Sequence, residues 1–123
     1  MTPDVPTVTP NISISDFVEN YLMSYHFTCY PVVENGQVKG IVGIDDIRTV
    51  PRDRWSIATV GEVTEQINES MKVTKDDDVW VALQKLNNNP CQRLLVMHDG
   101  QLDGTVTQDS IFRLVRLKLQ LGR

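Results

Sequence analysis

Two cysteines, Cys29 and Cys91, are too few to staple a 123-residue chain. Each stands just before an apolar segment that reads as a strand, where buried free thiols are common. Free, buried thiols in a reducing compartment are therefore the expectation. Histidine is equally scarce. His26 and His98 lie far apart, and no Cys/His pair has metal-ligand spacing. There is no G-x-S-x-G, no P-loop glycine pattern and no G-x-G-x-x-G. The acids Asp76, Asp77 and Asp78 read as a solvated capping cluster rather than a metal site, so no metal is expected. With no catalytic constellation, the chain reads as a non-enzyme. No basic run reaches five residues and the net charge is −4, which argues against a nucleic-acid partner. No apolar run approaches the 18 residues of a membrane span, and Met1 to Pro10 is polar and proline-rich rather than a signal peptide. A cytoplasmic setting follows from these absences as an expectation.

What the chain does have is a repeat. Tyr30 to Ile47 reads YPVVENGQVKGIVGIDDI, and Leu94 to Ile111 reads LLVMHDGQLDGTVTQDSI. Gly36 and Gly100, Gly40 and Gly104, and Ile47 and Ile111 are each 64 residues apart. Val8-Thr9 matches Val73-Thr74 at an offset of 65. A unit this small does not easily bury its apolar face alone, so two copies are expected to pack together with clefts between them. The 41% of hydrophobic residues suffices for a shared core.

Hydrophobic spacing supplies the elements. Ile14, Phe17, Val18, Tyr21, Leu22 and Tyr25 predict an amphipathic helix over 13–25, with Ser13 as its cap. Strands are expected near Cys29–Val33 and Val38–Ile44, joined by the hairpin signal Asn35-Gly36. Asp45 and Asp46 open a short helix that Pro51 stops. In the second copy Asp76–Asp78 cap a helix lined by Val79, Ala82, Leu83 and Leu86, which Asn87–Pro90 ends. Strands Leu94–Met97 and Leu102–Val106 flank Asp99-Gly100. A final helix, 109–121, presents Ile111, Leu114, Val115 and Leu119 on one face, with Gly122 beyond its end. The fold class is α/β (α+β): two β-α-β-β-α repeats related by pseudo-two-fold symmetry. Residues 1–6 form a flexible lead-in, 7–60 the first repeat with its linker, and 61–121 the second. Trp55 and Val60 anchor the charged stretch between them.

Each unit resembles the CBS domain, and the pair resembles a Bateman module. The residues that carry the likeness are the helix, the apolar-Pro-Val strand Tyr30-Pro31-Val32-Val33, the hairpin, and a Gly followed by two apolar residues. The family pattern continues Gly-apolar-apolar-Thr/Ser-x-x-Asp. The resemblance implies a regulatory module that binds an adenine nucleotide (AMP, ADP, ATP or S-adenosylmethionine) in a cleft between the copies, forms homodimers, and modulates a host protein. In the family the acid accepts from ribose hydroxyls and the Thr helps hold ribose or phosphate.

Each copy keeps half of that pattern. The first has Asp46 but Gly43 in place of the hydroxyl. The second has Thr107 but Ser110 in place of the acid. Asp46 and Thr107 read equally as ligand contacts or as helix caps. Gly43 offers no side chain and admits either a close backbone or a bulky base. Adenine would lie on the walls near Thr9, Pro31, Val32 and Thr74. Losing one charge-assisted bond per site, roughly 1.5–3 kcal/mol, leaves nucleotide binding within reach of cellular adenylate levels. The alternative is a ligand-free dimerisation module that positions its host. The segment Val50-Pro51-Arg52-Asp53-Arg54-Trp55, followed by Thr59-Val60-Gly61-Glu62-Val63, resembles the inter-copy linker of CBS pairs appended to site-2-type membrane zinc metalloproteases. That likeness implies a membrane-protease host with this chain on its cytosolic side.

Overall fold

The computed structural model describes residues 6–74, 76–89, 91 and 93–122. Its first ordered contact is made by backbone. Val8 donates its N–H to the Pro31 carbonyl at 2.9 Å and accepts from the Val33 N–H at 2.8 Å, forming a parallel bridge to Val32. Pro31 uses only its carbonyl here, so its missing N–H forfeits no bond of this bridge.

Ser13 then caps a helix as expected, its hydroxyl accepting from the Asp16 N–H at 3.1 Å. That helix is α1 (Ile14–Phe17), a π turn (Val18–Leu22) and α2 (Met23–Tyr25) in succession. His26 closes it in the left-handed region at φ 66°. Strands β1 (Cys29–Glu34) and β2 (Gln37–Gly43) pair antiparallel, Pro31 opposite Ile41 and Cys29 opposite Gly43. The turn between them places Asn35 at φ 55° and Gly36 at φ 78°, two successive positive values that favour Asn-Gly. The short α3 (Ile44–Ile47) follows directly from β2.

The second repeat builds the same parts. Strand β3 (Lys72–Val73) runs parallel to β4 (Arg93–His98), and β5 (Gln101–Thr107) pairs antiparallel with β4. Val73 opposite Val96 repeats the contact of Val8 with Val32. The hairpin turn repeats too, with Asp99 at φ 51° and Gly100 at φ 79°. The irregularity between Val32 and Val33 recurs between Val96 and Met97. Helix α4 (Val79–Asn87) starts at Asp78, whose carboxylate accepts from the Trp80 N–H at 2.8 Å. It ends at Asn87; Pro90 lies outside the described residues. Helix α5 (Gln108–Gln120) follows β5 directly, with Gly122 at φ 71° just past its end.

The described residues divide into two compact units, 6–67 and 68–122. In the first, Phe17, Tyr30, Val32, Val42 and Val60 form the centre of the core. Tyr30 meets Phe17 edge-on at 5.4 Å and donates its hydroxyl proton to the Tyr21 carbonyl at 2.9 Å. Trp55 packs against this core, and its indole N–H donates to the Val50 carbonyl at 3.0 Å. In the second unit Val73, Leu86, Leu94, Val96 and Ile111 form the equivalent centre. Strand residues alternate sides. Tyr30 and Val32 face their helices, while Pro31 and Ile41 are buried outside that cluster.

Two expectations need correction. Neither cysteine is a free thiol, because Cys29 and Cys91 are both disulfide-bonded. Both sit half-buried at strand entries, not inside a core that would isolate a sulfur, so the reducing compartment loses its support. The apolar face of α5 is also narrower than its spacing implied. Ile111 is buried and Val115 half-buried, while Leu114 and Leu119 lie at the margins of that stripe and are 42% and 75% exposed.

Candidate functional site

Each repeat contains one strand-to-helix junction where the chain leaves a hairpin and opens a helix. In the first, β2 ends at Gly43, which adopts an extended conformation as the N-cap of α3. A Cβ at Gly43 would stand 2.8 Å from the Thr28 carbonyl oxygen and 2.9 Å from the Cys29 sulfur. The glycine is thus explained by backbone approach: the Thr28 carbonyl accepts from the Ile44 N–H at 3.0 Å. Asp46 reaches back from the first turn, its carboxyl accepting from the Gly43 N–H at 2.8 Å. Burial foremost raises its pKa from 3.8 to about 6. The Gly43 N–H opposes that rise, and a hydrogen bond and charge from Glu65, with the charge of Asp45, add to it.

The second junction uses other atoms for the same geometry. Thr107 caps α5, its hydroxyl oxygen accepting from the Ser110 N–H at 3.2 Å. The Thr107 N–H in turn donates to the Ser110 hydroxyl at 3.4 Å, and the two hydroxyl oxygens lie 3.0 Å apart. Thr107 and Ser110 occupy the positions of Gly43 and Asp46, but only the second junction is a reciprocal cap, because Gly43 has no side chain to accept a bond. Beside this junction Arg93, opposite Thr107 across the β4–β5 ladder, donates to the Thr105 hydroxyl at 3.1 Å. Thr105 is 1% exposed, so this arginine is held by a buried hydroxyl.

The remaining sequence-selected residues fall in varied surroundings. Thr9 and Thr74 are exposed, and Thr74 donates its N–H to the Asp77 carboxylate at 3.0 Å. Pro31 is buried and pairs with Ile41, two register steps along from the Cys29–Gly43 end of the hairpin. Val32 is fully buried with its side chain in the helix-facing core. The structure gathers Pro31, Gly43 and Asp46 at one end of the first hairpin, and Thr107 and Ser110 at the corresponding end of the second.

Two concave features have no signal in the sequence. A largely apolar groove of about 440 Å³ lies among Leu22, Met23, Phe27, Ile44, Ile47 and Trp55. A second groove, of about 390 Å³, runs between Trp80 on α4 and Leu119 on α5, with Asp77, Asp78 and Lys118 on its rim. Helical spacing hides both, because it assigns apolar side chains to a core without showing which of them stay uncovered.

Comparison with known proteins turns on the doubled junction. The sequence profile of the CBS domain matches residues 1–53 and again 60–117. The chain belongs to the CBS-domain family, as a tandem pair. This CBS pair is 30% identical over 117 residues to a zinc metalloprotease of Methanocaldococcus jannaschii; the match covers 95% of the pair and 31% of that protein. The pair thus spans about a third of the length of the curated relatives it matches. Among solved structures, the CBS-pair protein CBSX2 of Arabidopsis thaliana superposes with a TM-score of 0.82 at 22% identity, covering 98% of this chain and 93% of that one. The CBS domain of a bacterial CNNM/CorC-family Mg2+ transporter, solved in complex with ATP, gives 0.76 at 17% identity, covering 94% and 83%. CbpB, solved in complex with c-di-AMP, gives 0.75 at 19%, covering 95% and 80%. These structural likenesses establish the CBS-pair fold. Among the described residues no helix is long and apolar enough to cross a membrane.

Proposed function

We propose that this CBS pair is a regulatory module that binds an adenine nucleotide at its strand-to-helix junctions and passes the binding energy to a host protein. The observation that carries the reading is the doubled junction, Gly43–Asp46 and Thr107–Ser110, built to one geometry in a CBS pair. Two solved neighbours of this fold hold ATP and c-di-AMP, which supports an adenine-containing ligand here. Asp46 would accept from ribose hydroxyls. Thr107 and the helix opening behind it would face ribose or phosphate, where N–H groups and the helix dipole favour negative charge. The zinc metalloprotease relative supports a protease as that host, and the linker likeness adds the expectation of a membrane protease with this chain on its cytosolic side. The chain itself would catalyse nothing. Ligand binding shifts the host only by its differential affinity for two states of the module.

Thermal unfolding of the pure chain against AMP, ADP, ATP, adenosine and S-adenosylmethionine tests this reading. At a hundredfold excess over Kd, mass action adds about 2.7 kcal/mol, several degrees of Tm for a domain this size. A shift lost in Asp46→Ala places the ligand at the first junction. A shift that survives there but is lost in Thr107→Ala places it at the second. No shift with any of the five sinks the reading.

A second reading, a module that joins two copies and so positions its host, is favoured by Trp80 and Leu119, which are 72% and 75% exposed. Apolar side chains left this open mark association surfaces. Sedimentation of the wild type and Trp80→Asp separates it: a dimer that Trp80→Asp dissociates supports it, and a wild-type monomer ends it.

A further inference from the structure

Helix α5 outruns the core it grows from. Ile111, near its start, is buried and Val115 half-buried, but every residue from Arg116 to Gly122 is exposed. These exposed turns are not polar. Leu117, Leu119 and Leu121 are each more than half exposed, and Leu114 is also largely open. At 3.6 residues per turn, Leu114, Leu117 and Leu121 fall on one side of the helix, at i, i+3 and i+7. That side is not the one that meets α4. The groove between the two helices is lined from α5 by Val115, Lys118 and Leu119, with Trp80 opposite. The leucine stripe is thus a second apolar face, set off from the core-facing stripe and from the α4 groove.

Charge frames this face. Arg113 stands four residues before Leu117, and Lys118 four residues after Leu114, so one cation borders the stripe on each side. Arg116 is exposed on the outward face. The carboxylate of α5 is Asp109, back in its first turn. Three cations against one acid on this helix contrast with a net charge of −4 for the chain. Asp77 and Asp78, the acids that α4 brings toward α5, line the groove on the other flank. A two-fold contact with a second copy would set Arg113 and Lys118 against their own counterparts, like charge against like charge. The face suits an occupant that is apolar at depth and anionic at its surface. A bilayer interface bearing anionic lipid has both properties. Leucines enter the acyl boundary, and arginine and lysine stems reach back to the headgroups.

We propose that the Leu114, Leu117 and Leu121 face of α5 docks the module on an anionic membrane surface. The helix, about 20 Å long, lies in the plane of that surface. Because the same helix opens at the Thr107–Ser110 junction, docking holds that junction beside the membrane.

The test is cosedimentation of the full chain with lipid vesicles and no nucleotide, so its failure is distinct from failure of the nucleotide reading. Vesicles of phosphatidylcholine alone are compared with vesicles in which about a third of the lipid is phosphatidylglycerol. The wild type should pellet with the anionic vesicles and stay in the supernatant with phosphatidylcholine. It should be released as salt rises toward about 1 M, where the screening length falls to about 3 Å. Arg113→Gln combined with Lys118→Gln should weaken partition roughly tenfold or more. Leu117→Gln, which leaves the charge unchanged, should also weaken it roughly tenfold. All three side chains are exposed, so each variant should keep the wild-type Tm. Equal pelleting with both vesicle types, no pelleting with anionic vesicles at millimolar lipid, or unchanged binding in either variant would overturn the proposal. So would lipid-free self-association that Leu117→Gln abolishes, which would assign the stripe to a second copy.

Discussion

Asp46 and Thr107 each cap a helix with the side chain that the proposed ligand contact would also use. Capping occupies one lone pair of Asp46 with the Gly43 N–H, and the Thr107 oxygen with the Ser110 N–H. A carboxylate has acceptor sites left over for a ligand, whereas a hydroxyl also has its proton to give. Replacing Thr107 by Ala should cost about 1 kcal/mol of stability through loss of the cap alone, measurable by urea unfolding. Asp46→Asn keeps an acceptor for Gly43 but cannot titrate. Because the folded pKa of Asp46 is raised, its contribution is fully present below 3.8 and is lost as pH rises through about 6. Glu62 acts in the opposite direction. Its carboxylate, held by the Thr59 N–H and hydroxyl, has a lowered pKa, so its stabilisation is lost as pH falls. Comparing Tm against pH for wild type and Asp46→Asn isolates the first effect: the difference between them should change between pH 4 and 6 and stay flat above 7. A constant difference across that range would contradict the assignment.

At the scale of elements, the hairpins are the most legible part of the sequence and the helices the least. Asn35-Gly36 and Asp99-Gly100 announce their turns because two successive positive φ values admit few other residues. Gly36→Ala should cost about 1 kcal/mol although a Cβ there meets nothing within 4 Å, because only the backbone resists. At Gly43 the strain is steric instead, and Gly43→Ala should cost about 1–3 kcal/mol as the Thr28 and Cys29 contacts yield. Urea unfolding reads both. The π turn over Val18–Leu22 and the left-handed His26 leave no trace in the hydrophobic spacing, since a 3.6-residue stripe survives a local change of winding. The exposed margins of α5 escape the same spacing because periodicity gives a direction and not the width of the surface beneath it. The pattern marks Tyr30 as a strand residue but not as the hub of an aromatic cluster with Phe17, Tyr21 and Phe27. Tyr30→Ala should cost about 3–5 kcal/mol, read by the same urea unfolding.

At the scale of the whole chain, the repeat by itself makes the architecture legible, because offsets of 64 and 65 persist from Val8 to Ile111. The candidate site is half legible. The sequence singles out Gly43, Asp46, Thr107 and Ser110, and the structure brings them together as two matching junctions. The sequence does not reveal the fixed position of Arg93 against buried Thr105. Val32 illustrates the limit of pattern reading: one step along a strand decides between a ligand wall and a core residue, and the core cluster claims it. The central claim, that the junctions take an adenine nucleotide, is tested most directly by mapping amide shifts of the labelled chain during titration with ATP. The account predicts saturable changes centred on residues 43–46, 107–110 or both, absent when ATP is replaced by an equal concentration of inorganic phosphate. No saturable change at millimolar ATP, or changes confined to the apolar grooves at Trp55 and Trp80, would contradict it.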